Sequence, residues 1–307
     1  TAHRAGYGQG DYVIYEHFLP RGKGLFTADY PFTRIAGGFR FLEGPAWHPY
    51  DHHLTFSDIM GNALYRWSPH SGVEMIRPNS YLANGNTYDR EGRLLTCEHG
   101  TSAVSRTEHD GSRNVLADSY QGVELNSPND IIVRKDGTIL FTDPTPGRSG
   151  HVGIPRPQRL SFTGVFSLHP ETGELGLLAD DFSKPNGLCM SLDERYLFVN
   201  DTDRQHIRRF TAEEDGSFSG GEIWAELVTD GPGVADGMKI SLDGLLYCSA
   251  PRGIQIFDLG ANLVGRLYTP EVTANFTWGG PDIFFFNDTA TTEIYTLRTS
   301  SEGPKLF

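Results

Sequence analysis

Residues 129–143 read NDIIVRKDGTILFTD, and this stretch decides the fold. It opens on a polar residue, continues as a mostly apolar strand, turns at Asp136-Gly137 and ends in a second strand. Such a pattern predicts a tight β-hairpin. The pattern recurs along the chain, and its copies begin at Glu43, Asn84, Asn129, Asn186, Asp236 and Asn275.

Successive copies begin between 39 and 57 residues apart. A period of this size indicates repeats of one supersecondary unit, and four strands per repeat make a blade of a β-propeller. The sequence therefore predicts an all-β chain that forms a six-bladed β-propeller with four-stranded blades. The predicted blades cover residues 39–79, 80–123, 124–183, 184–232, 233–270 and 271–307.

The two ends of the chain are expected to meet in the last blade. Residues 35–41 read IAGGFRF and predict an outer strand for that blade. Pairing of this kind removes two free sheet edges. We therefore expect one domain over residues 1–307, with residues 1–34 as an N-terminal extension and residues 35–307 as the propeller.

Two segments interrupt the repeat. Residues 144–163 are rich in Pro, Gly and Arg and show no periodicity. A loop of this length in a compact domain is either functional or disordered, and we predict that it lines the channel mouth as a lid. Residues 283–297 lack the polar turn that separates the strands of the other repeats, so the sixth blade fits the pattern least well.

Composition limits the partners and the compartment. The net charge of −13 argues against nucleic acid and anionic membranes, and no apolar stretch approaches the roughly 20 residues of a membrane helix. Three cysteines without CxxC spacing predict buried free thiols. Residues 1–10 contain no signal region. We expect a cytoplasmic protein, or a periplasmic one if a signal peptide has been removed, that acts as a monomer or homodimer.

The six leading residues of the repeats all carry side-chain oxygen, and none is His or Cys. Hard cations such as Ca²⁺ and Mg²⁺ prefer carboxylate and amide oxygens. Glu43 and Asp236 supply two negative charges that match a divalent ion. The alternative is that pairs such as Asn84-Gly85 and Asn186-Gly187 are ordinary hairpin turns. Each pair, however, is followed by a strand that has its own turn about eight residues later.

Four segments resemble the signature segments of a known family. They read EGPAW at 43–47, LNSPND at 125–130, KPNGL at 184–188 and ADGM at 235–238. From about residue 35 onward, the chain resembles the gluconolactonase/regucalcin family of six-bladed propellers. The family is also called senescence-marker and luciferin-regenerating-enzyme-like.

The resemblance implies a metal site and an activity. Glu43, Asn129, Asn186 and Asp236 would bind one divalent cation, with Ca²⁺ expected first and Mg²⁺, Mn²⁺ or Zn²⁺ as alternatives. The implied function is a metal-dependent lactonase that hydrolyses a sugar-acid lactone or a similar small lactone. The metal would polarise the carbonyl, and Asp236 would act as general base. The alternatives are an organophosphate hydrolase of the diisopropylfluorophosphatase type and a non-catalytic calcium-binding propeller.

Further residues are candidates for substrate binding. Ser127 stands where regucalcin has a substrate-binding Arg, so sugar recognition is expected to differ. Asn84 and Asn275 would line the channel without being direct ligands. The candidate substrate-binding residues are Asn84, His99, Ser127, Asp143 and Asn275.

Overall fold

The computed structural model of the chain describes residues 14–26, 31–280, 282–287 and 292–307. Within these ranges the strands form six antiparallel blade sheets and one two-stranded ribbon, and neighbours in sequence are neighbours in space, apart from the strands at the N-terminus. The innermost strand of each sheet packs against the innermost strands of the next blades. The predicted six-bladed β-propeller is confirmed.

The strands are numbered in chain order. The N-terminal strands are β1 Tyr15–His17 and β2 Thr33–Ala36. Blade one contains β3 Leu42–His48, β4 His53–Asp58, β5 Ala63–Ser68 and β6 Gly72–Pro78. Blade two contains β7 Ala83–Tyr88, β8 Leu94–Glu98, β9 Ala103–Thr107 and β10 Arg113–Ala117. A small ribbon follows, made of β11 Ser119–Tyr120 and β12 Val123–Glu124.

The remaining strands complete four blades. Blade three contains β13 Ile131–Val133, β14 Ile139–Asp143, β15 Gly164–Leu168 and β16 Leu175–Ala179. Blade four contains β17 Pro185–Met190, β18 Tyr196–Asp201, β19 His206–Ala212 and β20 Phe218–Glu226. Blade five contains β21 Met238–Ile240, β22 Leu246–Ala250, β23 Gly253–Phe257 and β24 Leu263–Tyr268. Blade six contains β25 Thr273–Gly279, β26 Asp282–Asn287 and β27 Ile294–Arg298. The two 3₁₀ turns are Pro20–Gly22 and Pro146–Arg148.

The N-terminal strand β2 closes the propeller by pairing with β27, and Thr33 lies opposite Thr296. The sequence placed this strand at residues 35–41, but it ends at Ala36. Gly37 and Gly38 follow, and Gly38 has a φ of +91°, which is incompatible with a regular strand. Within the predicted N-terminal extension, β1 pairs with β24 as a fifth strand of blade five. That pairing covers an edge that would otherwise be free.

The repeat hairpins form where the sequence predicted them. Gly92 and Gly137, in the turns of blades two and three, have φ values of +76° and +90° that suit glycine. The predicted irregular segment of blade six nevertheless supplies β26 and most of β27. Residues 281 and 288–291 lie outside the described part of the chain.

The hydrophobic core lies between adjacent blades. Tyr247 of blade five, for example, packs edge-on against Trp278 of blade six at a ring distance of 5.0 Å. Cys97, Cys189 and Cys248 are buried and unpaired, as the sequence predicted. In the described ranges, we find no helix whose length and hydropathy would let it span a membrane.

Replacing Phe56 by Ala should lower the free energy of unfolding by about 3–5 kcal/mol, because a large buried aromatic side chain leaves a cavity. The Phe56 ring is fully buried and lies 5.3 Å from Phe39 and 5.6 Å from Tyr65. Urea denaturation measures the change. The matched control is Met75→Ala on outer strand β6 of the same blade, where Met75 is 55% exposed and a change of about 0.5 kcal/mol is expected. Equal effects of the two substitutions would contradict this packing.

Candidate functional site at the channel mouth

A closed ring of hydrogen bonds joins the six blades at the level of the leading residues. Each bond links one blade to the next, and each involves a leading residue or its direct neighbour. The bonds are Asn86 Nδ2 to Gly44 O at 2.9 Å, Gly85 N to Asn129 O at 2.8 Å, Thr142 Oγ1 to Asn186 O at 2.9 Å, Asn200 Nδ2 to Asp236 O at 2.6 Å, Gly237 N to Ala274 O at 2.9 Å and Asn275 Nδ2 to Glu43 Oε2 at 3.0 Å.

The glycines after the leading residues let neighbouring blades approach closely. A Cβ at Gly85 would lie 2.2 Å from the Asn129 carbonyl oxygen, and one at Gly187 would lie 2.1 Å from that of Asp236. Both glycines lie inside inner strands, and neither has the positive φ of a type I′ hairpin turn. The alternative interpretation of these pairs as hairpin turns is therefore wrong.

The two carboxylate oxygens of Glu43 differ in their hydrogen-bond partners among the described residues. Its Oε2 accepts hydrogen bonds from the Gly44 backbone N–H at 2.8 Å and from the Asn275 amide at 3.0 Å. In the described part of the chain, Oε1 has no hydrogen-bond donor. Burial raises the pKa of Glu43 to about 7, although these two hydrogen bonds and Lys239 oppose the shift. A nearby cation would favour the ionised form.

The other predicted metal ligands lie at the same end of the channel, where their inner strands begin. Asn129 and Asn186 retain 7% and 8% exposure, and Asp236 is half-buried. Asn186 Nδ2 donates to Thr202 Oγ1 at 3.0 Å, which turns its amide nitrogen toward blade four. The backbone N–H of Asp236 donates to Ser249 O at 3.2 Å. That these four residues bind one metal remains a prediction.

His99 is fully buried and fixes the orientation of Asn84. Its Nδ1 lies 2.8 Å from the Val152 carbonyl oxygen, which can only accept a hydrogen bond. Burial lowers the pKa of His99 to about 4, with Arg156 contributing, so the ring is neutral and its proton lies on Nδ1. His99 Nε2 must then accept the hydrogen bond from Asn84 Nδ2, at 3.0 Å. Asn84 Oδ1 is left without a hydrogen-bond partner and is buried.

Ser127 and Asp143 hold the backbone of the mouth. The two Asp143 carboxylate oxygens accept the backbone N–H groups of Asn126 and Ser127, each at 2.8 Å. Ser127 Oγ donates to Pro144 O at 2.6 Å and accepts from Gly147 N at 3.1 Å. Both residues are fully buried. Ser127 thus supports the 144–163 loop, and Asp143 supports the backbone of Asn126 and Ser127. Substrate contact by the two residues remains a prediction.

The 144–163 loop covers part of the mouth and is anchored on several sides. Arg148 and Arg156 both pair with Glu124, at 2.9 and 3.6 Å. The His151 ring packs edge-on against Phe41, at the start of blade one, with a centroid distance of 6.0 Å. The loop therefore reaches from blade three across to blade one.

Sequence reasoning missed Lys239, which extends into the channel from β21. Its Nζ donates to Asn275 Oδ1 at 3.3 Å and lies 3.8 Å from Asp130 Oδ2. Asn275 therefore joins Lys239 to Glu43. The available signal was a charged residue in an inner strand, three positions after Asp236.

A cavity of about 410 Å³ occupies the other end of the channel. All six blades line it with inner-strand residues beyond the leading positions, and the C-terminal segment 302–306 adds to its wall. Its lining is mainly apolar and includes Ile131, Met190 and Trp278. None of the four predicted metal ligands lines it, so the predicted metal site lies outside this cavity.

One cluster of potential metal ligands lies near that far end, in the β3–β4 hairpin. His48, Asp51 and His53 bring ligand atoms within 4.8 Å of one another. However, the Asp51 backbone N–H donates to His48 Nδ1 at 3.0 Å, which puts the proton of the neutral ring on Nε2. This nitrogen, which faces Asp51 Oδ2 at 3.6 Å, is then not free to bind a metal.

The fold and its mouth define a class: six-bladed propellers whose inner strands gather carboxylate and amide oxygens at one end of the channel. The chain belongs to the SMP-30/Gluconolactonase/LRE-like family, whose characteristic region matches residues 41–286.

Relatives of known name agree with this membership. The chain is 31% identical to a gluconolactonase of Zymomonas mobilis, over 81% of this chain and 76% of that protein. It is 28% identical to a pentonolactonase of Haloferax volcanii, over 80% of this chain and 79% of that one. The solved structure of a gluconolactonase from Xanthomonas campestris is 31% identical and has a TM-score of 0.86, covering 94% of this chain and 96% of that chain.

Replacing Thr142 by Val should destabilise the ring between blades three and four. The Thr142 hydroxyl donates to Asn186 O at 2.9 Å and accepts from Asp130 N at 3.2 Å, and the side chain is fully buried. Loss of these bonds should cost about 1–3 kcal/mol, measured by urea denaturation. Thr87→Val is the matched control, because Thr87 is also buried on an inner strand and its hydroxyl bonds to no described residue. Equal losses from both substitutions would contradict a role for this bond.

Proposed function

We propose that the chain is a divalent-cation-dependent lactonase that hydrolyses a sugar-acid lactone or a similar small lactone. The observation that carries this proposal is the hydrogen-bonded ring, which fixes the backbone of leading residues such as Asn186 and Asp236, and the carboxylate of Glu43, around one mouth. The named relatives support the same enzyme class, because they are lactone hydrolases by name. Such enzymes are hydrolases that act on carboxylic esters.

The residues at the mouth fit a hard cation. Glu43 Oε1 lacks a donor in the described part of the chain, while Oε2 is held by two N–H groups. The remaining predicted ligands, Asn129, Asn186 and Asp236, offer only oxygen, which suits Ca²⁺ first and Mg²⁺ or Mn²⁺ next. Two carboxylates balance a divalent charge. When bound, the cation would polarise the lactone carbonyl and make a nearby water more acidic.

The reaction would then depend on the chain's own groups. Asp236 would take a proton from the water that attacks the lactone carbonyl carbon; the bond between that carbon and the ring oxygen would then break, and Asp236 would return the proton to the ring oxygen, so that the product leaves as a hydroxy acid. Asn200, whose amide donates to the Asp236 carbonyl at 2.6 Å, fixes the backbone that carries this base. Asn275 and Gly44 orient Glu43. The 144–163 loop, which contacts Phe41 and Glu124, would limit the access of bulk water on its side of the mouth.

Replacing Asp236 by Asn should reduce kcat for lactone hydrolysis by about 10²–10⁴-fold, because the amide cannot accept the proton. Titration of released acid with δ-gluconolactone measures the rate, corrected for spontaneous hydrolysis. Asp180→Asn is the matched control, since Asp180 is exposed at the periphery of blade three and should leave kcat unchanged. If Asp236→Asn kept normal kcat, Asp236 would have no catalytic role.

Removal of divalent cations with EDTA, followed by dialysis, should abolish lactone hydrolysis, and added Ca²⁺ should restore it. Ca²⁺ should also raise the Tm of the metal-free protein in proportion to the logarithm of its concentration, because it binds only the folded state. EDTA already saturated with Ca²⁺ is the control for effects of the chelator itself. Full turnover after exhaustive cation removal would refute the metal dependence.

A further inference from the structure

Asn84 has a buried oxygen that the protein does not satisfy. The residue begins inner strand β7 and retains only 3% exposure. Its Nδ2 is held by His99 Nε2, so Oδ1 faces away from that ring, and no described group donates to it. A buried polar atom without a partner is unfavourable, because it has lost its hydrogen bonds to water. A bound ligand can supply the partner that this oxygen lacks.

The position of Asn84 in the ring indicates which ligand that is. Asn84 follows Glu43 and precedes Asn129, and its own carbonyl oxygen accepts Ser57 Oγ at 2.7 Å. Its backbone is thus fixed between two predicted metal ligands. Because Oδ1 has almost no accessible surface, a substrate hydroxyl, which is as large as a water molecule, has poor access to it. A cation within the ring is smaller and is attracted by the amide oxygen.

We infer that Asn84 Oδ1 is an additional oxygen ligand of the cation that the proposed function requires, and that His99 is its positioning residue. This inference rests on the proposed function and departs from the expectation that Asn84 only lines the channel. Ca²⁺ takes about 6–8 oxygens, so a fifth protein ligand still leaves positions for water and substrate. An amide adds no charge to the two carboxylates.

Contacts with the 144–163 loop hold His99 in place, and His99 in turn orients Asn84. His99 Nδ1 donates to the Val152 carbonyl of the 144–163 loop, and the His99 carbonyl accepts Arg156 at 2.6 Å. A Cβ at Gly147 would lie 2.5 Å from His99 Cγ, so the loop lies directly against the imidazole. The loop thereby acts on the metal site through His99. Groups that orient metal ligands commonly change metal affinity by about 10–100-fold when removed.

The test is Ca²⁺ binding, measured by isothermal titration calorimetry on metal-free protein. Asn84→Ala should weaken the Kd for Ca²⁺ by about tenfold or more. Asn84→Asp, which keeps an oxygen, should bind within about threefold of the wild type or more tightly. Asn114→Ala, in exposed outer strand β10, is the matched control and should bind as the wild type does. If Asn84→Ala does not fold, Asn84→Leu, which is similar in size to Asn and has no side-chain oxygen, replaces it.

A double-mutant cycle tests His99. His99→Leu should weaken Ca²⁺ binding about tenfold in the wild type and have no further effect in Asn84→Ala, because His99 acts through Asn84. Additive losses would overturn the positioning role.

An unchanged Kd in Asn84→Ala would overturn the ligand assignment, even if hydrolysis of δ-gluconolactone fell, since that result would make Asn84 a substrate contact. A wild-type protein that binds no Ca²⁺ would instead refute the proposed function itself.

Discussion

The rest of the molecule depends on the hydrogen bonds that join each inner strand to the next around the channel. A propeller blade packs on its neighbours mainly through apolar side chains. Such packing is not directional, so it does not by itself fix the position of one blade along the channel axis relative to the next. Directional hydrogen bonds such as Thr142 to Asn186 and Asn200 to Asp236 fix that position. The last bond, from Asn275 to a side-chain oxygen of Glu43, makes a candidate metal ligand part of the framework. The same hydrogen bond therefore joins two blades and orients a residue of the candidate site.

The polar groups at the mouth fall into two sets. Some hold the backbone of the mouth, and others keep an oxygen that a ligand could bind. The first set bonds to backbone groups: Asp143 accepts from the Asn126 N–H, Ser127 donates to the Pro144 carbonyl, and His99 donates to the Val152 carbonyl. Among the described residues, no group donates to Glu43 Oε1 or to the buried Asn84 Oδ1. A buried oxygen without a donor is unfavourable in the ligand-free protein. The proposed ion, bound at the mouth, would supply the partner that this oxygen lacks.

Much of the fold was predictable from the sequence because hairpin patterns are local. The start of each inner strand and its turn follow from residues close together, as at Asn129 and Gly137. The joining of β1 to blade five was not predictable, since a three-residue strand carries little pattern. Equally, the sequence could name Asn84 and His99 as candidates but not their separate roles. Those roles depend on Val152, which lies 53 residues beyond His99 in the chain.

The closing pair of strands joins Thr33 to Thr296, almost the full length of the chain apart. Contacts between such distant residues form late, because the entropy of loop closure must be overcome first. During synthesis, five blades can assemble while two open edges still face solvent. The Asn275 bond to Glu43 cannot form until β25 has left the ribosome. The ring of hydrogen bonds around the channel therefore stays open until blade six has been made.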